Sequence, residues 1–206
     1  MAKHQSGQKI VMQSANNPKS AANIGPASMG EVVAAAKKGP PPVHLWHPPF
    51  CGDIDMRIAR DGTWFYQGTP IGRPALVRLF SQILRREGDD YFLVTPVEKV
   101  GIKVDDAPFL AVDFDVQDGG KSLRFYTKTE DEVTASAENP IRVVRDAAGQ
   151  PAPYIHIRAG LEALIDRKSF YRLVDLAKVT QHNGADWLGV HSQGAFFPMI
   201  LASELA

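Results

Sequence analysis

Two arginines stand at matching points ahead of two amphipathic runs, Arg73 in Ile71-Gly72-Arg73-Pro74 and Arg167 in Ile165-Asp166-Arg167-Lys168. A positive charge at the start of a helix opposes the helix dipole and gains nothing locally. An anion would compensate it, because a guanidinium fork beside free helix N–H groups is a ready site for phosphate or carboxylate. The competing reading is a structural salt bridge, with Glu162 or Glu98 as partner. Lys99, next to Glu98, and Arg158 are the further candidates for charge, and Trp64, Tyr154 and Tyr171 for a ring stacked on a ligand. If Arg73 and Arg167 act together, they line one pocket.

Other chemistry-bearing groups fit bland roles better. Gly189-Val190-His191-Ser192-Gln193-Gly194 resembles a nucleophile elbow, but Val190 stands where that turn needs glycine and no histidine follows Ser192. A hairpin turn between the last two strands explains it. His44, His47, Cys51, Asp53 and Asp55 carry metal-capable atoms without paired metal-ligand spacing, so no metal site is assigned. Asp105-Asp106, Asp113, Asp115 and Glu130-Asp131-Glu132 fall at turns and alternating strand positions, as a solvated face does. The glycines never form a Gly-x-Gly-x-x-Gly or Gly-x-x-x-x-Gly-Lys loop, which argues against ordinary dinucleotide or NTPase chemistry. No catalytic residue is assigned, and no motif specifies a cofactor.

The elements that must position these residues occur twice. The order strand, Arg-x-Gly turn, strand, Ile-x-Arg, helix, Gly-x-Asp-aromatic, strand runs through Arg60-Asp61-Gly62, Arg73 and Gly88-Asp89-Asp90-Tyr91. It recurs through Arg158-Ala159-Gly160, Arg167 and Gly184-Ala185-Asp186-Trp187. A duplication places a ligand at the seam between copies. In the first copy Ile54, Met56 and Ile58 alternate with charged residues, Asp61-Gly62 turns the chain and Thr63 to Tyr66 returns. A helix is predicted over Pro74 to Arg86, with proline in its first turn and Arg85-Arg86 at its end, then a strand over Tyr91 to Val97.

An antiparallel meander is predicted from Gly101 through Phe109, Leu123, Glu132, Ile141 and Tyr154 to Ile165. A helix over Lys168 to His182 with Asp166 as N-cap follows, then strands Trp187 to His191 and Ala195 to Leu201. Ahead of all this, residues 1 to 26 read as a mobile arm, Ser28 and Glu31 as the capping box of a helix over Val32 to Lys38, and Gly39-Pro40-Pro41-Pro42 as a linker. The predicted fold is α+β, in three parts: a lead-in over 1 to 43, an N-terminal domain over 44 to 94 and a C-terminal domain over 95 to 206. Each copy offers one short helix and few strands, so the halves are expected to share a face.

Composition narrows the function. The chain has 206 residues, 44% apolar and 22% charged, enough for a sizeable core. Lys plus Arg equals Asp plus Glu at 23 each, so no overall field draws it to nucleic acid or to an anionic membrane. A single cysteine excludes an internal disulfide framework, no stretch approaches a membrane span, and Met1 to Gly7 lacks the apolar run of a signal peptide. A cytoplasmic location is expected.

Taken together, Cys51-Gly52-Asp53-Ile54, Asp61-Gly62-Thr63-Trp64, Pro70-Ile71-Gly72-Arg73, Leu79-Phe80, Thr95-Pro96-Val97-Glu98-Lys99, Asp105-Asp106-Ala107-Pro108-Phe109, Pro153-Tyr154-Ile155-His156-Ile157-Arg158 and Ser192-Gln193-Gly194 resemble the bacterial family of domain of unknown function 1285. The resemblance spans residues 44 to 200. It implies a duplicated α+β architecture with a C-terminal half resembling a pleckstrin homology fold, a pocket at the domain interface for a nucleotide-like molecule, and a signalling role. It brings no catalytic residues. The functional expectation is a noncatalytic ligand-sensing or adaptor protein that binds a small anion between its halves. The alternatives are a nucleotide or phosphoester hydrolase or transferase with Glu98 or Asp105 as base and Lys99 stabilising charge, and a protein-interaction module without a small ligand.

Residues 1 to 26 offer little apolar surface to bury. Deleting them should leave the cooperative thermal transition intact, and a truncated protein that is insoluble or melts without a transition would place the arm in the core.

Overall fold

The structure, a computed structural model, describes residues 41–146 and 149–205. The predicted arm and the helix over Val32 to Lys38 lie outside the described residues. The chain enters through a 3-10 turn, Val43–Leu45, and its first strand β1 (Phe50–Ile58) buries Ile54, Met56 and Ile58 while exposing Asp53 and Asp55. At the following turn Thr63 N–H donates to Asp61 Oδ1 at 2.9 Å and Gly62 adopts φ 73°, which glycine tolerates best. β2 (Trp64–Tyr66) then pairs antiparallel with β1, Ile58 opposite Trp64, and a short β3 (Thr69–Pro70) extends the edge.

Helix α1 (Pro74–Gln82) starts at the expected proline and stops earlier than expected. Leu84-Arg85-Arg86-Glu87 is not its last turn but strand β4 (Leu84–Glu87), paired antiparallel with β5 (Asp90–Val94) across Gly88-Asp89. The apolar pair Ile83-Leu84 suits either period, and the ladder to β5 decides. β6 (Lys99–Val104) lies parallel to β1, giving the sheet order β3-β2-β1-β6-β5-β4. This strand, grouped by sequence with the second half, therefore completes the first sheet.

The second half opens with β7 (Phe109–Gln117), β8 (Ser122–Thr127) and β9 (Glu132–Thr134), followed by β10 (Ile141–Arg145), β11 (Pro151–Arg158) and β12 (Leu161–Ile165). The expected single meander is two, joined where β12 lies parallel to β7 in the order β10-β11-β12-β7-β8-β9. Helix α2 (Arg167–Leu176) is capped as predicted, with Ser169 N–H donating to Asp166 Oδ1 at 2.8 Å. Like α1 it ends early. Lys178 to His182 forms β13 (Lys178–His182), the edge of a three-stranded sheet with β14 (Ala185–Ser192) and β15 (Ala195–Leu201). Apart from the short β3, the order β1-β2-α1-β4-β5-β6 thus recurs as β11-β12-α2-β13-β14-β15, in two tandem halves that each mix sheet and helix.

One apolar core runs from Ile54, Trp64 and Phe80 through Phe109, Phe125 and Leu161 to Val190 and Phe197, so both halves contribute to it. Polar groups fix its seams. Tyr154 OH donates to Asp106 Oδ1 at 2.6 Å, Arg60 Nε reaches the same carboxylate at 3.1 Å, and the Arg142 guanidinium lies 4.4 Å over the Tyr154 ring. At the far end Ser192, fully buried, donates to Ala135 O at 2.6 Å and accepts from Leu123 N–H at 2.9 Å. Gln193 and Gly194, with φ 50° and 77°, make the hairpin turn beyond it. Ser192 is therefore a structural bolt between β14 and the β8–β9 edge.

Ser192→Ala orphans the buried Leu123 N–H and should cost about 1–3 kcal/mol in denaturant unfolding; an unchanged midpoint would show that these bonds are not needed. Burial, reinforced by the Asp106 hydrogen bond, pushes the Tyr154 hydroxyl from 10.0 up to about 12. Because the folded value lies above the unfolded one, this stabilisation is complete below pH 10 and lost as pH rises through 12. Wild type should lose on the order of 3 kcal/mol over that window, whereas Tyr154→Phe, weaker by about 1.5–3 kcal/mol at neutral pH, should converge on it. Parallel alkaline unfolding curves would refute the assignment.

Candidate functional site

Where the two halves meet, a cavity of about 520 Å³ opens between the lead-in, strand β4 and the turn after β11. His44 and His47 line it from the lead-in, Arg85, Arg86 and Glu87 from β4, and Asp131, Arg158 and Leu161 from the second half. Three arginines therefore converge on one space from two halves of the chain. Arg158 donates to the Asp131 carboxylate and to Ser81 O at 2.9 Å, and its guanidinium lies 4.9 Å over the Phe109 ring. Arg86 donates to Gly88 O at 2.8 Å and Gly160 O at 3.3 Å, tying β4 to the turn opposite.

Arg85 holds Trp46 O through Nη1 at 2.7 Å and the Glu87 carboxylate through Nη2. Its Nε is buried with no acceptor. Lys99 Nζ reaches Glu87 from the other side at 2.8 Å and lies 4.7 Å over the Phe92 ring. Lys99, with Arg85 behind it, holds the Glu87 carboxyl below the usual carboxylate range. The cavity is thus lined by cations, of which Arg85 is already paired with Glu87 and Arg158 with Asp131.

The other sequence candidates are dispersed. Arg167 and Tyr171 line a second cavity of about 420 Å³ together with Arg60, and Arg167 Nε donates to Tyr171 OH at 3.0 Å. Trp64 lines a third, of about 350 Å³, with Arg78 and Lys128; its ring is stacked with Phe80 at 6.2 Å and its Nε1 is buried without an acceptor. Arg73 is exposed at the N-cap of α1 and lines none of these cavities, so it does not meet Arg167 in one pocket. Tyr154 is consumed by Asp106, Glu98 closes a turn through its backbone to Thr95, and Asp105 is paired with Arg57 at 2.6 Å.

Sequence reasoning missed Arg85 and Arg86 because it placed them at a helix end. The signal that could have found them is Gly88-Asp89 three residues after Arg85, a turn that makes the preceding run a hairpin arm. Asp131 was hidden among apparently solvated acids. Among the described residues no cluster of His, Cys, Asp and Glu could hold a metal ion, and no helix is long and apolar enough to cross a membrane.

Residues 41–107 match the N-terminal domain, and residues 108–199 the C-terminal domain, of the domain of unknown function DUF1285. No curated protein matches the chain. The crystal structure of a DUF1285 family protein from Silicibacter pomeroyi DSS-3 is 62% identical, with 84% of this chain and 94% of that one covered at a TM-score of 0.78. Another, of a DUF1285 family protein from Shewanella baltica OS155, is 29% identical, with 58% of this chain and 90% of that one covered at a TM-score of 0.48. With both halves matched in order and a relative this similar over most of its length, the chain belongs to the DUF1285 family.

Proposed function

We propose that this protein is a noncatalytic ligand-sensing or adaptor protein whose ligand, a small nucleotide-like anion, binds in the cavity between the halves and serves bacterial signalling. The observation that carries this reading is the convergence of Arg85, Arg86 and Arg158 from both halves on one cavity, with a buried Arg85 Nε left without an acceptor. A volume of about 520 Å³ suits a molecule larger than bare phosphate, since small-molecule sites run to roughly 300–1,000 Å³. Phosphate would replace Glu87 on Arg85, while Leu84 and Leu161 supply apolar wall for a ring. A ligand touching both halves stabilises their docked arrangement, which is the physical basis of a sensor.

The six-stranded and three-stranded sheets of the second half, with one helix, support its reading as a pleckstrin-homology-like frame. The hydrolase reading has less support, since Glu98 and Asp105 stand outside the cavity lining.

A nucleoside monophosphate at a hundred times its Kd should stabilise the protein by about 2.7 kcal/mol, a rise of roughly 5–10 °C in melting temperature for a chain of this size. Arg85→Met, which removes the buried donor without an acceptor, should keep a cooperative melt yet lose most of that rise, and the nucleotide should be recovered unchanged. A panel of nucleotides and phosphate esters giving no shift, or an equal shift in Arg85→Met, would overturn the site; product formation would overturn the noncatalytic role.

A further inference from the structure

The second half departs from the first in how its sheets close. In the first half β1 and β6 pair in parallel register. In the second, β10 stands beside β11, and β15 lies against β10 without joining its sheet. Along this break runs a groove of about 390 Å³, lined by Val143 and Val144 of β10, Phe170 and Val174 of α2, and Trp187 and Met199 of the three-stranded sheet. Among the described residues its charged lining is Arg145 and Glu204, which pair with each other at side-chain exposures of 55% and 43%.

We propose that this groove binds a single-chain amphiphile, an acyl chain ending in a carboxylate, independently of the ligand at the seam. The lining is apolar and partly uncovered: Val144 is 40% exposed, Val174 38% and Leu205 54%, and exposed apolar area of this kind is stabilised by an apolar occupant. Length follows from volume. At about 30 Å³ for a water-sized group, the groove takes on the order of ten methylenes. The head group follows from charge. Arg145 presents a guanidinium fork that matches a carboxylate, and its present partner Glu204 is a carboxylate on the 3-10 turn Ala202–Glu204, adjoining Leu205. That carboxylate beside a leucine is an internal stand-in for the ligand. A solvent-exposed ion pair contributes little, so an incoming carboxylate exchanges for Glu204 at small cost while its chain gains burial.

The test is calorimetric titration with decanoate below its micelle concentration, with tryptophan fluorescence in parallel because Trp187 lines the groove. Saturable one-to-one binding is expected, weakened about tenfold for decanol and for Arg145→Met, and absent for acetate. Glu204→Gln, which removes the internal competitor, should tighten binding, an outcome that a merely structural pair would not produce. No saturable binding to a protein with a normal melt would overturn the proposal, as would equal affinity for decanol and decanoate. So would self-association abolished by Val144→Asp and indifferent to decanoate, which would make the groove a contact between copies.

Discussion

Helix α1 ends at Gln82 with its last carbonyls lacking partners inside the helix, as every helix does. The Ser81 carbonyl finds its donor in the other half of the chain, at Arg158, whose second nitrogen holds Asp131 and whose plane rests on Phe109. A guanidinium at a helix C-terminus is favourable to the dipole as well as to the orphan carbonyl. One side chain therefore caps the first half's helix from the end of β11, in a position that the apolar core alone would leave free to slide. The same arginine lines the seam cavity, across which Arg86 donates to Gly160 O in the Arg158–Ala159–Gly160 turn.

Duplication supplies the order of the elements and not their partners. Both halves contain the run strand, strand, helix and three strands, with the short β3 extra in the first and β7–β10 ahead of it in the second, yet β6 returns to pair with β1 whereas β15 stops beside β10. The difference lies at β10, which takes the edge of β11 through Ile141 to Arg145. The apolar groove under α2 lies along that boundary, with Val143 and Val144 of β10 in its lining.

Local chemistry was legible in the sequence and nonlocal pairing was not. The alternation of Ile54, Met56 and Ile58, the Asp61-Gly62 turn and the Asp166 cap are each written within a few residues, and each is where it was expected. The parallel pairs β1–β6 and β7–β12 join strands dozens of residues apart, and no residue type marks such a partner. Both helices were drawn too long for one reason: Leu84 to Glu87 and Lys178 to His182 continue a helical stripe as well as they alternate, and the hairpins that claim them depend on partners across Gly88 and Gly184. The symmetry drawn between Arg73 and Arg167 failed on capping. Asp166 already supplies an acceptor to the start of α2, so no ligand is needed there, and Arg167 leans on Tyr171 while Arg73 faces solvent.

What separates a structural arginine from one with capacity to spare is a buried donor left unmet. A guanidinium carries five N–H groups. Arg158 donates through two nitrogens, to Asp131 and Ser81, and Arg86 uses all three nitrogens on Gly88, Gly160 and Asp89. Arg85 is more enclosed than either, with a side chain 18% exposed against 32% for both, yet its Nε has no acceptor and its carboxylate partner is shared with Lys99. Enclosure raises the cost of an unmet donor, and sharing lowers the cost of giving up Glu87. Both effects act at the arginine that also holds the lead-in through Trp46 O.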